Sequence, residues 1–118
     1  GWVDGEEKEK FILKGKVLIF PSLWYEGSPL TTLEMKSCGI PCIVPDKCAA
    51  SEDIKVGFTG FVFQTGSLYS LKKAIMKYEK VDLSILQKNI ISTFDVNDYT
   101  PENHTINLIN IYTEILNE

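Results

Sequence analysis

The apolar positions of this chain change their period along its length. Val17-Leu18-Ile19-Phe20 is a continuous apolar run stopped by Pro21-Ser22, and Cys42-Ile43-Val44 is a shorter one stopped by Pro45-Asp46. Runs without polar alternation read as parallel strands covered on both faces. Between them, Pro29 or Leu30 begins a helical stretch through Lys36 that Gly39 closes, and Pro41 feeds the second run. Gly57 and Gly60 bracket a turn into Phe61-Val62-Phe63, a third strand. Ahead of all three, Glu6 to Leu13 has the acidic first turn and Gly15 stop of a short helix. Beyond Gly66 the period becomes helical, first at Leu68, Leu71 and Ile75, then at Leu83, Leu86, Ile90 and Phe94. Thr100 as cap and Pro101 at the first helical position open a last helix with the stripe Leu108, Ile109, Tyr112, Ile115 and Leu116. These terminal stripes are expected to pack into the core rather than to dock a partner. The alternation predicts an α/β fold, a Rossmann-like parallel sheet with flanking helices.

Composition narrows the function classes. The 118 residues are 44% apolar and 24% charged, which suits one ordinary globular domain. Formal charge is -4, and the lysines read as scattered or set beside acids, as in Glu6-Glu7-Lys8-Glu9-Lys10. Without a basic stripe, nucleic acid is not an expected partner. No apolar run approaches the roughly twenty residues that a membrane helix needs, so no transmembrane segment is expected. Peripheral association of a full-length protein with a membrane stays compatible with that. Cys38, Cys42 and Cys48, with the single His104, match no zinc spacing. Cys38 and Cys42 are expected to be buried as small hydrophobes, and reduced thiols suit a cytoplasmic protein. Asn103-His104-Thr105 matches a glycosylation acceptor, read here as coincidence. The chain opens on Gly1-Trp2-Val3 rather than Met and reads as a piece of something larger.

The informative stretch is Pro21-Ser22-Leu23-Trp24-Tyr25-Glu26-Gly27-Ser28-Pro29-Leu30-Thr31-Thr32-Leu33-Glu34. It joins the carboxyl end of a strand to the start of a helix, the ligand position of open α/β sheets. Helix-tip amides lack partners within the helix and carry the positive end of its dipole, so those of Leu30 and Thr31 can hold a phosphate. Gly27 allows close backbone approach there, and Pro29 preorganises the turn without offering an N–H. Glu34 lies about 6 Å along the axis from Leu30, in reach of ribose hydroxyls. Glu26 can face a sugar beyond the second phosphate, accepting its hydroxyls or offsetting positive charge at the anomeric carbon. The blander alternatives are a dipole or capping role for Glu34 and a solvated loop position for Glu26. Trp24 and Tyr25 are expected to be packing residues rather than stacking platforms.

These residues resemble the Glu, seven residues, Glu signature of retaining GT-B glycosyltransferases, the large family-four group. Pro21-Ser22, Tyr25-Glu26-Gly27, Pro29, Leu33-Glu34, Cys38-Gly39, Pro41, Asp46, Glu52, Gly57 and Gly60 fall where that family's pattern has them, and the helix carrying Tyr112 resembles its closing helix. The resemblance implies that Glu26 contacts the donor sugar and is the catalytic carboxylate. It further implies that Glu34 binds the ribose, and that backbone at Gly27, Ser28, Leu30 and Thr31 binds sugar and diphosphate. It places a base-binding loop near Trp2, Val3 and Asp4, and requires no metal or other cofactor. The sequence departs from the pattern at Met35-Lys36-Ser37, where small residues are usual, and at Cys48-Ala49-Ala50-Ser51, where a Gly-rich turn is common.

The resemblance thus implies that residues 1–118 are the partial, carboxyl-terminal part of a nucleotide-sugar-binding GT-B domain, its N-terminal acceptor domain absent. The expected partners are a nucleotide-sugar donor, a saccharide or lipid-linked acceptor and that missing domain, in a cytoplasmic enzyme of polysaccharide or glycoconjugate biosynthesis whose fragment alone is inactive. The competing readings are a non-catalytic α/β interaction module and another GT-B enzyme, such as a nucleotide-sugar epimerase or a glycogen phosphorylase relative.

Overall fold

The computed structural model describes residues 2–117; Gly1 and Glu118, at the ends of the expected domain, lie outside the described residues. Along the chain run α1 (Gly5–Leu13), β1 (Leu18–Ile19), α2 (Leu30–Ser37), β2 (Cys42–Pro45), β3 (Gly60–Phe63), α3 (Leu68–Tyr78), α4 (Leu83–Thr93) and α5 (Pro101–Leu116). Short 3-10 turns at Ala49–Ser51 and Val96–Tyr99 fill the connections. The strands form one parallel sheet in the order β1-β2-β3, with Leu18 opposite Cys42 and Cys42 opposite Gly60. The α/β expectation therefore holds.

Burial follows the pleat of the central strand. Cys42 and Val44 point to one face, where Ile12 of α1, Met35 of α2, Ile40, Cys48, Ala50 and Ile54 close over them. Ile43 points to the other, against Phe61, Phe63, Ala74 of α3 and Leu86 of α4. Ile43, Leu86 and Ile90 are essentially sealed from water, each contributing on the order of 1.5–3 kcal/mol by its burial. Pro45 ends β2 with no N–H to donate. Alternation aims its nitrogen toward β1, which has already stopped, whereas Asp46 N–H donates to Phe63 O on β3 (2.8 Å).

Two glycines are required by the packing. Gly39 has φ +70 and closes α2 with paired bonds, Gly39 N–H to Lys36 O and Ile40 N–H to Met35 O, both 2.9 Å. A Cβ on Gly60 would sit 2.4 Å from Cys42 O and 3.1 Å from Ile54 Cδ1, so β2 and β3 approach too closely there for any side chain. Each later helix is capped by its preceding residue: Ser67 accepts from Ser70 N–H, Asp82 from Ser84 N–H and Thr100 from Asn103 N–H.

Four expectations need correction. First, β1 is not covered on both faces: it is the outer strand, α3 and α4 lie over β2 and β3, and Ile19 stays 39% exposed. Second, the α5 stripe is not core. No residue of α5 is buried, and the helix packs chiefly on the Val96–Tyr99 turn, carried by a stacked Phe94–Tyr99 pair at 5.3 Å. This projection accounts for a radius of gyration of 16.2 Å, against roughly 13–14 Å for a compact chain of this length. Third, Cys38 is exposed because it caps α2 on the solvent side, while Cys42 and Cys48 are buried and all three are free thiols. Fourth, the lysines are not all scattered, since Lys72, Lys73 and Lys77 of α3 and Lys80 just past its end line one surface.

Gly60→Ala should destabilise the fold by about 2 kcal/mol or more in denaturant unfolding, because the atom a Cβ meets at 2.4 Å is the backbone carbonyl of Cys42, which cannot swing clear as the end of Ile54 can. Burial pushes the Cys42 thiol up from 9.0 to about 12, opposed by the charge of Lys36. The neutral thiol is thus favoured in the fold, and the stability it confers is whole below pH 9 and lost as pH rises toward 12. Unfolding free energy should fall across that window by up to about 1.4 kcal/mol per pH unit from this group. Cys42→Ala should flatten that part of the profile.

Candidate functional site

The loop after β1 is held by its own short hydrogen bonds. Phe20 N–H donates to Ile43 O (3.0 Å), the last rung to β2, and Pro21 then turns the chain away. Ser22 Oγ accepts from Trp24 N–H at 3.2 Å and donates to Glu26 Oε1 at 3.1 Å. Glu26 is half-buried, and its backbone carbonyl accepts from Ala49 N–H at 2.9 Å, tying the loop to the 3-10 turn after β2. The solvated-loop reading of Glu26 therefore does not describe it. Gly27 has negative φ and open space where a Cβ would sit, so the fold itself does not demand glycine there.

Helix α2 begins at Leu30 with Pro29 as its cap residue and no side-chain cap bond. Thr32, almost fully buried, directs both its N–H (3.0 Å) and its hydroxyl (2.7 Å) back to Pro29 O, bracing the first turn from inside. Leu30 and Thr31 are exposed on that tip. A groove of about 240 Å³ runs beside it, floored by Gly27, Ser28, Pro29 and Thr32 and walled by Ala49 and Tyr99.

Glu34 stands on the second turn of α2, and its Oε1 receives Lys8 Nζ of α1 at 2.6 Å. It makes no cap, so the capping alternative fails, and the pair leaves Oε2 unengaged by it. The side chains of Lys8 and Glu34 are 43% and 39% exposed, so their attraction is strongly screened. The sequence assigns neither Lys8 nor Ser22 a role at the site, although Pro21-Ser22 belongs to the family pattern. Lys8 lies 26 positions from its partner, with no local pattern to announce it; Ser22, next to Pro21 and four before a glutamate, had a readable turn signal.

The remaining expected positions are spread around this core of the site. Trp24 and Tyr25 are 80% and 81% exposed, so the packing reading for them is overturned: the loop is tied through Ser22 and Glu26 and leaves both rings outside. Trp2 and Val3 are exposed, and Asp4 precedes α1 without a side-chain cap bond. The two departures from the family pattern are absorbed without loss of packing. Met35 fills the core beneath β2, and Lys36, nearly buried, reaches Asp53 Oδ2 at 3.3 Å. Ala50 packs in the turn after β2. Asp46 accepts from Thr65 N–H (2.9 Å) and Thr65 Oγ1 (2.6 Å), and those bonds hold its carboxyl below the usual carboxylate range.

The family described as glycosyl transferases group 1 matches residues 1–93, which contain the strand, the loop and all of α2. An Escherichia coli protein named UDP-Gal:alpha-D-GlcNAc-diphosphoundecaprenol alpha-1,3-galactosyltransferase is 37% identical over 92 residues, 72% of this chain and 23% of that one. The crystal structure of Anabaena HepE in complex with UDP shares the fold at a TM-score of 0.64 and 17% identity, over 88% of this chain and 28% of that one. The chain thus spans about a quarter of the length of these relatives.

Because the Lys8–Glu34 pair is so exposed, Lys8→Met should cost less than about 1 kcal/mol in denaturant unfolding.

Proposed function

The chain belongs to the glycosyl transferases group 1 family, and from that premise we propose that it is the carboxyl-terminal part of a donor-binding domain in a retaining glycosyltransferase. The observation that carries the reading is the open, uncapped tip of α2 at the carboxyl end of β1, flanked by Glu26 and Glu34 within the family-matched segment. The parallel α/β fold is of the GT-B kind and agrees with it.

On this reading the diphosphate of a nucleotide sugar sits on the amides of Leu30 and Thr31, with backbone of Gly27 and Ser28 beside it. The partial positive charge of the tip lowers the energy of the leaving diphosphate as the bond to the sugar breaks. Glu34 accepts the ribose hydroxyls through the oxygen that Lys8 leaves unengaged. Glu26, steadied by Ser22, faces the sugar, where its charge offsets positive charge developing at the anomeric carbon. No metal enters the proposal.

Acceptor and setting belong to the whole protein. The Escherichia coli relative's name specifies a galactose donor and an acceptor on diphosphoundecaprenol. A saccharide or lipid-linked acceptor, a second domain closing over the donor and a role in polysaccharide or glycoconjugate assembly in the cytoplasm are the corresponding proposals here. No helix among the described residues is long and apolar enough to cross a membrane.

Titration with UDP and GDP, followed by thermal unfolding, tests the donor site. One of them at about 100 times its dissociation constant should stabilise the fold by about 2.7 kcal/mol. Glu34→Ala should weaken that nucleotide on the order of tenfold or more, whereas Glu26→Ala should spare the nucleoside diphosphate and weaken only the nucleotide sugar. Nucleotide protection that survives Glu34→Ala unchanged would remove the ribose assignment.

A further inference from the structure

Helix α3 covers the sheet with one side and presents a different chemistry on the other. Leu71, Ala74, Ile75 and Tyr78 face Phe61 and Phe63 of β3. At 100° per residue, the opposite side carries Tyr69 and Met76 along its centre with Lys72, Lys73 and Lys77 around them, and Lys80, in the turn just past the helix end, lines the same surface. Tyr69 and Met76 are 69% and 48% exposed, and none of the four lysines is in an ion pair among the described residues. Lys73 Nζ lies 4.5 Å over the Tyr69 ring, which keeps that ring on the outer face. The acids nearest in sequence are Glu79, the residue that ends the helix, and Asp82, whose carboxylate is occupied capping α4 through Ser84. A third of the chain's cationic side chains, four of twelve, therefore gather on three turns of a protein whose net charge is -4.

We propose that this face of α3 docks on an anionic lipid bilayer, the lysines meeting headgroup phosphates while Tyr69 and Met76 enter the interface between headgroups and acyl chains. Charge complementarity selects an anionic partner, and the apolar centre selects a surface into which side chains can sink. Lysine ammoniums on long stems suit a diffuse layer of charge, because the stem lies along apolar surface while the head stays wet. The patch contains no arginine, the residue whose planar fork suits bidentate recognition of phosphate and bases in nucleic acid. The face lies on the side of α3 turned away from the sheet and shares no residue with the α2 tip, so it stands whether or not the donor reading does. Because α3 starts just past the end of β3 and packs back along it, docking lays the strands along the bilayer with their carboxyl edge pointing sideways.

Co-sedimentation of the chain with vesicles decides the matter. Wild-type protein should bind vesicles of phosphatidylcholine and phosphatidylglycerol in about equal parts, should not bind pure phosphatidylcholine, and should come off at about 0.5 M salt. Each lysine lost should weaken binding on the order of fivefold, so the combined Lys72→Gln, Lys73→Gln, Lys77→Gln and Lys80→Gln variant should lose at least about tenfold. A variant with the same charge change elsewhere, Lys10→Gln, Lys14→Gln, Lys47→Gln and Lys88→Gln, should lose much less. Tyr69→Ser with Met76→Ser, which alters no charge, should weaken binding severalfold. Equal losses in the two lysine variants, or equal adsorption to neutral vesicles, would overturn the proposal. So would a protein that ignores both vesicles yet retards a DNA duplex through the same four lysines, since the face would then serve a polyanion.

Discussion

The double-sided burial of β2 governs the rest of this molecule. A strand sealed from water above and below must be covered twice, and the two coverings are assigned by its pleat: α1 and α2 over Cys42 and Val44, α3 and α4 over Ile43. Once Met35 and Thr32 are committed to that contact, the axis of α2 is fixed. Its amino-terminal end then has to emerge at the carboxyl edge of the sheet. The seam with β3 is drawn so tight at Gly60 that the sheet has little freedom to adjust. The position of that tip is therefore set by core packing.

Around that tip the loop is ordered by polar bonds of modest individual worth, each roughly 0.5–1.5 kcal/mol net. Ser22 orients Glu26, Ala49 anchors it from behind, Pro29 is gripped twice by Thr32, and Lys8 steadies Glu34. Trp24 and Tyr25 remain outside this frame. Rigidity thus comes from below, while Leu30 and Thr31 at the tip itself stay exposed.

Much of this was readable from residue order, and the reasons differ by element. The strands, α2 and its Gly39 stop announced themselves because continuous apolar runs and helix punctuation are local signals. So did the Thr100-Pro101 start of α5. What escaped was whatever depends on long-range placement. Ile19 belongs to an apolar run as uniform as that of β2, but only the strand order reveals that it stands on an outer strand and stays partly exposed. The α5 stripe has good helical period, yet period says that a face is apolar and not whether this chain supplies something to cover it. The Lys8–Glu34 contact joins distant segments. The lysines of α3 seemed dispersed in sequence because alternate turns interleave them with the very residues that face the core. At the site, residue order nominates Glu26, Gly27, Ser28, Leu30, Thr31 and Glu34, but of the contacts that hold this segment only the Ser22 turn carried a local signal.

The way α5 is attached has a thermodynamic consequence. With no buried side chain and its main anchorage a turn bearing one pair of stacked rings, this helix draws little free energy from the sheet that stabilises everything before it. A lone helix of 16 residues is close to balance between coil and helix in water. Fraying of the last segment is thus decoupled from collapse of the β2 core, and the chain has two cooperative units of unequal strength. A single melting midpoint would describe the stronger one and pass over the other.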